Sequence, residues 1–326
     1  IYFDSQRRWV GASLSAFGIC YNPMVLRRLG IASAPSRWDQ LGDPAYFRNI
    51  AIADPTKSGS VTKALEMLVQ QKIRAAMDSG LEESDALERG WVEGLNLIRR
   101  IGANARYFTD SATKIPFDVA QGNAAAGMCI DFYGRTYNEV TRADDGSSRV
   151  HYITPEGGSS ISVDPIAILR GAPNREMAEA FVDFVLSPEG QKIWAYKVGA
   201  PGGPEKTALR RLPIRKDFYR DPQNALHSSD PDVRPFDAGS DFEYVSAWTG
   251  RHFGALRFIV RVMCIDPHQE LQAAWSALAE AKFPPEATAE FERLDGVGYE
   301  EASVLLEGKD KLAQSKLAQQ LAAQFR

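Results

Sequence analysis

The turn that follows the apolar segment 50–53 carries the side chains best suited to chemistry in this sequence. The apolar segment predicts a short strand, which ends at Pro55 because proline fixes its own φ and has no N–H. Ser58, Gly59 and Ser60 follow, and apolar residues then recur at helical spacing, so a helix is predicted to begin near Gly59. A helix N-terminus presents unpaired N–H groups and the positive end of the helix dipole, which suits an anion. Serine also caps helices very often, so a plain cap and an anion site remain equal alternatives.

Three further segments share this pattern, in which a strand or its end is followed by small, polar or aromatic residues: 13–21, 131–135 and 157–164. In open α/β sheets ligands bind beyond the carboxyl ends of the strands, so the four segments are expected to converge on one site. Their mixture of hydroxyls, aromatic rings and charges suits a polar small molecule better than a lipid. The candidate ligand-binding residues are Ser15, Phe17, Thr56, Ser58, Gly59, Ser60, Asp131, Tyr133, Arg135, Ser159, Ser160 and Asp164.

Each of these residues also has a structural interpretation. Tyr133 fits a core aromatic with its hydroxyl at the rim. Asp164, directly before a proline, fits a turn former. Arg135 fits a surface ion pair with Asp131, which would contribute little to stability.

The sequence offers little support for catalysis or for a resident metal site. The four histidines lie in dissimilar contexts, and no nucleophile elbow, Walker loop or zinc-protease motif is present. Residues 56–58 resemble the end of a P-loop but lack the glycine frame before it. Cys20, Cys129 and Cys264 are interpreted as buried free thiols, with one disulfide and a spare thiol as the alternative. We therefore predict a protein without enzymatic activity, cofactor or metal site.

Composition bounds the class of protein. The chain has 326 residues, of which 44% are hydrophobic and 25% charged, so it is long enough for a well-buried core and for two lobes. A net charge of −4 without a long basic run argues against a nucleic-acid binder. No apolar stretch approaches the roughly 20 residues that span a bilayer. The first residues show no signal peptide and are typical of mature or truncated protein.

Strands alternate with helices over residues 9–186, which predicts an α/β fold. Periodicity and turn residues predict strands at 9–21, 50–53, 124–130, 150–154 and 161–169, with helices at 24–29, from 59, 85–101, 177–185 and 188–194. Residues 107–114 are predicted to be turn-rich and 199–242 to form a long surface loop. Helices are predicted at 245–264, 269–281, 287–294 and 300–325.

Several motifs resemble those of extracellular solute-binding proteins of bacterial ABC importers. Residues 17–41 are similar to that family's "aFGIvYN…LkkLGi…P.tWedL.dP" signature. Residues 50–60 resemble the "G.IalaDPtkSGS" segment of its ferric-iron and phosphonate branch. Residues 164–174 are similar to "DPIallkGAPN", and 178–194 to "A..FvdFvLSpeGQkiw". The resemblance covers about residues 9–200.

The resemblance implies a two-lobe, type 2 periplasmic-binding-protein fold with a ligand cleft between the lobes. Residues 1–21 would be part of lobe 1 with the first crossover, and 22–155 would be lobe 2. Residues 156–215 would be the second crossover and more of lobe 1, and 216–326 a loop and a helical C-terminal region. The N-terminal part of lobe 1 would lie before residue 1.

The resemblance also implies function. The chain would be a monomeric, periplasmic or extracellular protein, free or anchored through its N-terminus, that delivers a small solute to a membrane permease. Its ligand would be a phosphonate, a sugar phosphate or a ferric–anion complex, with Ser58 to Ser60 as the anion-binding helix start. Tyr133 occupies the place of a tyrosine pair in ferric-binding relatives, but its neighbour here is Phe132, so direct iron chelation is not implied. The alternatives are a polyamine bound by Asp131 and Asp164, or an enzyme, sensor or scaffold on the same fold.

Overall fold

The computed structural model describes residues 2–236 and 242–326. These residues form two compact units. Unit 1 comprises residues 2–16 and 161–236, and unit 2 comprises 17–160 and 242–326. Residues 216–326, grouped as one region in the sequence analysis, are thus divided between the two units.

Two sheets organise the described residues. The strands are β1 (Val10–Ser15), β2 (Phe17–Tyr21), β3 (Ile50–Ala53), β4 (Ala105–Thr109), β5 (Ala126–Ile130), β6 (His151–Ile153), β7 (Ser162–Ile166) and β8 (Leu212–Pro213). Unit 1 holds an antiparallel sheet in the order β7-β1-β8. Unit 2 holds a mixed sheet in the order β4-β3-β5-β2-β6, in which β3 runs parallel to β4 and β5 and β2 runs antiparallel to its neighbours.

Helices cover these sheets and make up the C-terminal region. They are α1 (Pro23–Arg28), α2 (Gly59–Asp78), α3 (Glu83–Asn104), α4 (Lys114–Ala120), α5 (Asp131–Val140), α6 (Arg175–Leu186), α7 (Pro188–Ala195), α8 (Pro222–His227), α9 (Ser246–Thr249), α10 (Phe253–Val260), α11 (His268–Glu280), α12 (Pro285–Phe291), α13 (Tyr299–Val304) and α14 (Lys311–Phe325). Short 3₁₀ turns lie at Trp38–Gly42, Pro44–Tyr46, Lys216–Arg220 and Gly250–His252, and a π-turn lies at Arg261–Ile265. Within the described ranges, none of these helices combines the length and apolarity that crossing a bilayer requires.

The predicted α/β class is confirmed, and so are the strand at 50–53 and the helix that begins at Gly59. The extended, mostly buried segment predicted at 9–21 is confirmed, but it is divided into two strands, since β1 and β2 belong to different sheets. The turn-rich assignment of 107–114 is wrong for residues 107–109, which belong to β4, and is confirmed for residues 110–113. β4 is an edge strand formed by pairing with β3, more than 50 residues away in sequence, and local polarity does not reveal that pairing.

The long loop predicted at 199–242 is wrong for its described part, which contains β8, a 3₁₀ turn and α8. Residues 237–241 of that prediction lie outside the described residues. β8 is only two residues long and exists through its pairing with β1, so it leaves no periodic signal in the sequence.

The C-terminal region is part of the core of unit 2. The indole N–H of Trp91, on α3, donates to the carbonyl of Val297 at 2.9 Å. Gln70, on α2, donates to the carbonyl of Val245 at 2.8 Å and to the Thr249 hydroxyl at 2.7 Å. Because these buried donors find their acceptors in residues 245–297, the central helices need the C-terminal region for their polar groups to be satisfied.

The apolar face of α6 is exposed in unit 1. Met177, Phe181 and Phe184 are between about half and two thirds exposed, although their spacing is that of a helix face that packs on a core. The sequence period thus correctly predicts the helix but does not determine whether its apolar face is covered.

Helices α2 and α3 approach each other closely at Gly90. A Cβ atom added at Gly90 would lie 2.3 Å from the Cα of Ile73, which is far inside van der Waals contact. We expect Gly90→Ala to lower the free energy of unfolding by about 3 kcal/mol, because overpacking displaces backbone rather than a flexible side chain. Urea denaturation measures this. The control is Gly254→Ala on α10, whose added Cβ meets no heavy atom within 4 Å. Equal stability changes in the two variants would contradict the close approach.

Candidate functional site

Two helices of unit 2 begin at the same edge of its sheet. β3 and β5 are parallel neighbours, and α2 and α5 start just beyond their carboxyl ends, at Gly59 and Asp131. β2 starts at the same edge, because Phe17 pairs with Ile130. We call this edge, with Phe17 and residues 54–60, 131–135 and 159–160, the helix-start edge. The structure therefore brings together the candidate residues that belong to unit 2.

The turn at the helix-start edge is built on Asp54. One of its carboxylate oxygens accepts the backbone N–H of Thr56 at 2.8 Å and the Thr56 hydroxyl at 2.6 Å. The N–H groups of Lys57 and Ser58 both donate to the Asp54 carbonyl at 3.0 Å. The hydroxyl proton of Thr56 is therefore used within the turn, and this residue shapes the site rather than presenting a free donor.

Ser58 is the N-cap of α2. Its hydroxyl accepts the N–H of Val61 at 3.3 Å, so the structural interpretation of this serine is confirmed. Its Oγ also lies 3.2 Å from that of Ser60, so one hydroxyl donates to the other and one hydroxyl proton remains available. The helical ladder starts with the Thr62 N–H, which donates to the Ser58 carbonyl. The N–H groups of Gly59 and Ser60 precede that bond and are the donors that this helix end presents.

Arg257, on α10, was missed by the sequence analysis. Its guanidinium donates from Nε to the carbonyl of Pro55 at 2.8 Å and from Nη2 to the carbonyl of Thr56. It reaches the turn from 201 positions further along the chain, and nothing in its local sequence indicates this contact. Among the described residues Arg257 forms no ion pair with a carboxylate, so its charge adds to that of the nearby Lys57, a side chain 58% exposed and 4.0 Å from Asp54.

The expected surface pair of Asp131 and Arg135 is buried instead. The two side chains are 1% and 12% exposed, with Arg135 Nη1 2.9 Å from Asp131 Oδ2. The backbone N–H of Phe132 donates to the other carboxylate oxygen at 2.8 Å. Burial raises the pKa of the nearby Tyr152 well above its ordinary value, and the negative charge of Asp131 adds to this. Asp131 is thus a buried, compensated charge that opens α5.

The remaining candidates of unit 2 are mostly buried. The N–H of Phe17 donates to the Ser159 hydroxyl at 3.2 Å, and that hydroxyl lies 3.9 Å from the sulfur of Met67. Phe17 and Ser160 are less than a tenth exposed. Tyr133 is half-buried and packs against the core, as its structural interpretation expects. Ser58, Gly59 and Ser60 therefore have the best donor geometry of the set.

The candidates of unit 1 form a cluster of their own. The Ser15 hydroxyl donates to Asp164 Oδ2 at 2.5 Å, and Arg211, which the sequence analysis missed, forms an ion pair with the same oxygen. Asp164 lies inside β7, where it pairs with Ser13 of β1, so its interpretation as a turn former is wrong. The adjacent proline is tolerated because β7 is an edge strand.

Reactive groups are not apparent in the described residues. The three cysteines are free and buried, as interpreted from the sequence. Burial raises the pKa of Cys264 to about 12, and burial also raises that of Cys129, so both are protonated at neutral pH. Within residues 2–236 and 242–326, no group of three or more histidine, cysteine, aspartate or glutamate side chains is placed to hold a metal ion.

Comparison with known proteins identifies relatives of limited identity. The chain is 24% identical over 186 residues to a phosphoglycerate transport regulatory protein of Salmonella typhimurium, which covers 57% of this chain and 40% of that protein. It is 27% identical over 175 residues to a putrescine-binding periplasmic protein of Pseudomonas aeruginosa, which covers 53% of this chain and 45% of that protein. The chain thus spans less than half the length of these curated relatives.

The structure resembles iron-bound HitA from Pseudomonas aeruginosa, with a TM-score of 0.53 and 19% identity over 79% of this chain and 71% of that chain. This likeness concerns the fold and confirms the expected two-lobe periplasmic-binding-protein class. A family model described as bacterial extracellular solute-binding protein matches residues 2–227. Since this match covers more than half of the chain, the protein belongs to the bacterial extracellular solute-binding family.

Proposed function

We propose that this chain is the solute-binding component of a bacterial ABC importer and that it captures a small anionic solute. The family match over residues 2–227 is the observation that supports the transport role. In this role the protein works outside the cytoplasm, in the periplasm or at the cell surface, and passes its ligand to a membrane permease without turning it over.

The charge balance of the helix-start edge supports an anionic ligand. The N–H groups of Gly59 and Ser60, a free serine hydroxyl proton and the charge of Arg257 all favour negative charge. The carboxylate of Asp54 is compensated by Lys57 at 4.0 Å, and that of Asp131 by Arg135. A phosphate or phosphonate group matches this arrangement of donors. The phosphoglycerate transport regulatory protein among the relatives makes a phosphorylated metabolite the first ligand class to test.

A polyamine is the second candidate, because a relative is a putrescine-binding protein. A diamine needs exposed carboxylates, and the sequence analysis offered Asp131 and Asp164 for that role. Asp131 is buried against Arg135, and Asp164 pairs with Arg211. Both carboxylates already have cationic partners, so we rank this ligand class below the anions.

A ferric–anion complex is the third candidate, prompted by the likeness of fold to an iron-bound protein. Ser58 to Ser60 would then hold the anion, and Tyr133 would be the protein's candidate for the metal. Tyr133 is half-buried beside Phe132, whose ring centre lies 4.2 Å away and offers no ligand atom. An enzyme or a sensory domain on the same fold remains the alternative class, and turnover of a probe would support the former.

A thermal-shift series separates these ligand classes. We expect 3-phosphoglycerate or a phosphonate to raise the unfolding midpoint, with stabilisation near 2.7 kcal/mol when the ligand is at about 100 times its dissociation constant. Putrescine and ferric citrate are the comparison ligands, and sodium chloride at equal ionic strength is the control for general salt effects. A shift with putrescine alone would contradict the anion proposal, and the absence of any shift would contradict the binding role.

A further inference from the structure

Arg257 lies outside the part of the chain that the family model matches, which ends at residue 227. It belongs to α10 and is half-buried. Its guanidinium spans two consecutive carbonyls, those of Pro55 and Thr56, directly before the start of α2. These carbonyls belong to the turn in which Asp54 accepts hydrogen bonds from Thr56, Lys57 and Ser58. The Pro55 carbonyl also accepts the Thr62 hydroxyl at 2.8 Å, so Arg257 shares the restraint of this peptide group with the first turn of α2.

This contact has two physical consequences. Two donors of one planar guanidinium fix the direction of two successive peptide groups, which restrains the segment that leads into Ser58 and Gly59. The contact does not neutralise Arg257. Its acceptors are uncharged carbonyls, so the guanidinium keeps its full positive charge. Among the described residues no carboxylate pairs with Arg257, so the charge acts on the region in front of the helix start.

We propose that Arg257 is a positioning residue through which the C-terminal helices hold the 55–58 turn and give the α2 helix start its preference for anions. The anion preference in this inference rests on the proposed function, whereas the restraint of the 55–58 turn does not. The family-matched segment supplies the hydroxyls and N–H groups, and α10 supplies the restraint and the positive charge.

Three variants of the chain separate these contributions. Arg257→Met removes both the restraint and the charge, and Arg257→Lys retains the charge without the planar two-donor fork. Arg261→Met is the matched control, because Arg261 follows one turn later, is about half exposed and pairs with Asp266 at 3.3 Å. Amide hydrogen exchange at residues 56–58, whose N–H groups all donate to Asp54, reports the restraint without any ligand. Calorimetry with 3-phosphoglycerate reports the anion preference.

We expect faster exchange at residues 56–58 in Arg257→Met and Arg257→Lys, and wild-type exchange in Arg261→Met. We expect 3-phosphoglycerate affinity to fall by about tenfold in Arg257→Met and by less in Arg257→Lys, because a close charge contributes more than one neutral hydrogen bond. The Arg257→Met loss should shrink as salt is raised, since screening already weakens the charge in the wild type.

Unchanged exchange in both Arg257 variants would overturn the positioning role. Wild-type affinity in Arg257→Met, while the wild type binds 3-phosphoglycerate, would overturn the charge role and leave the proposed function standing. If the wild type binds no anion, the proposed function and the charge role both fail, and the exchange measurement alone decides whether Arg257 holds the turn.

Discussion

Replacing Ser58 and Ser60 together by alanine is expected to weaken 3-phosphoglycerate binding by about tenfold. The pair has one hydroxyl proton available for the ligand, and one hydroxyl bond to a charged group contributes about 1.5 kcal/mol, which corresponds to that factor. The two oxygens lie 3.2 Å apart at the start of α2, so one phosphate group can contact both. Isothermal titration calorimetry of the double variant measures the loss. Unchanged affinity would reduce Ser58 to a helix cap and remove this edge as the binding site.

The loss of a cap must be separated from the loss of a ligand contact. Ser187 caps α7 of unit 1 as Ser58 caps α2, by accepting the Gly190 N–H at 3.1 Å. Ser187→Ala should therefore lower stability by about 1 kcal/mol without changing affinity. Ser58→Asp provides the converse control. Aspartate caps as well as serine does, so stability should hold, while its carboxylate should repel the anion.

Asp131→Asn is expected to lower the free energy of unfolding by about 3–5 kcal/mol. The substitution replaces the carboxylate that faces the buried guanidinium of Arg135 at 2.9 Å by a neutral amide, and breaking a buried ion pair from one side is strongly destabilising. Urea denaturation measures the change, and a cycle with Arg135→Met isolates the coupling, because the double variant should recover much of the loss. A loss below about 0.5 kcal/mol would show that the pair is as weak as a surface ion pair.

A matched surface pair is available for comparison. Arg89 and Glu93 on α3 have the same spacing of four residues and a nitrogen–oxygen distance of 2.7 Å, but their side chains are 58% and 41% exposed. Glu93→Gln should change stability by less than about 0.5 kcal/mol. The two ion pairs share the same spacing and the same kinds of charged group. The difference between the stability losses of the two substitutions therefore measures the effect of burial.

The part of the site that could be predicted from the sequence is the part with local causes. Pro55 ends β3, Ser58 caps α2, and the apolar period of residues 61–69 needs only neighbours within a few positions. The same locality explains why the α6 helix could be predicted from its spacing. Local patterns did not reveal β4 or β8, since both strands exist through pairing with distant segments.

Burial and partnership were decided by the tertiary structure. The sequence placed Asp131 and Arg135 four residues apart on one helix, and either a surface pair or a buried pair satisfies that spacing. Packing of α5 against β6 and the neighbouring strands of the sheet buries this pair. Asp164 likewise forms an ion pair with Arg211, 47 positions away, and this pair compensates its negative charge. These outcomes weaken the polyamine proposal, which depended on free carboxylates.

By itself the sequence determined the family, the α/β class and the helix start at Gly59, because each depends on residue types in short, contiguous order. Only the tertiary structure decided which charges stand at that helix start. Arg257 reaches the turn across 201 positions, and Asp131 loses its availability through burial. The physical reason is that hydrogen-bonding and helix propensity act over a few residues, whereas desolvation and charge act over the distances that folding sets.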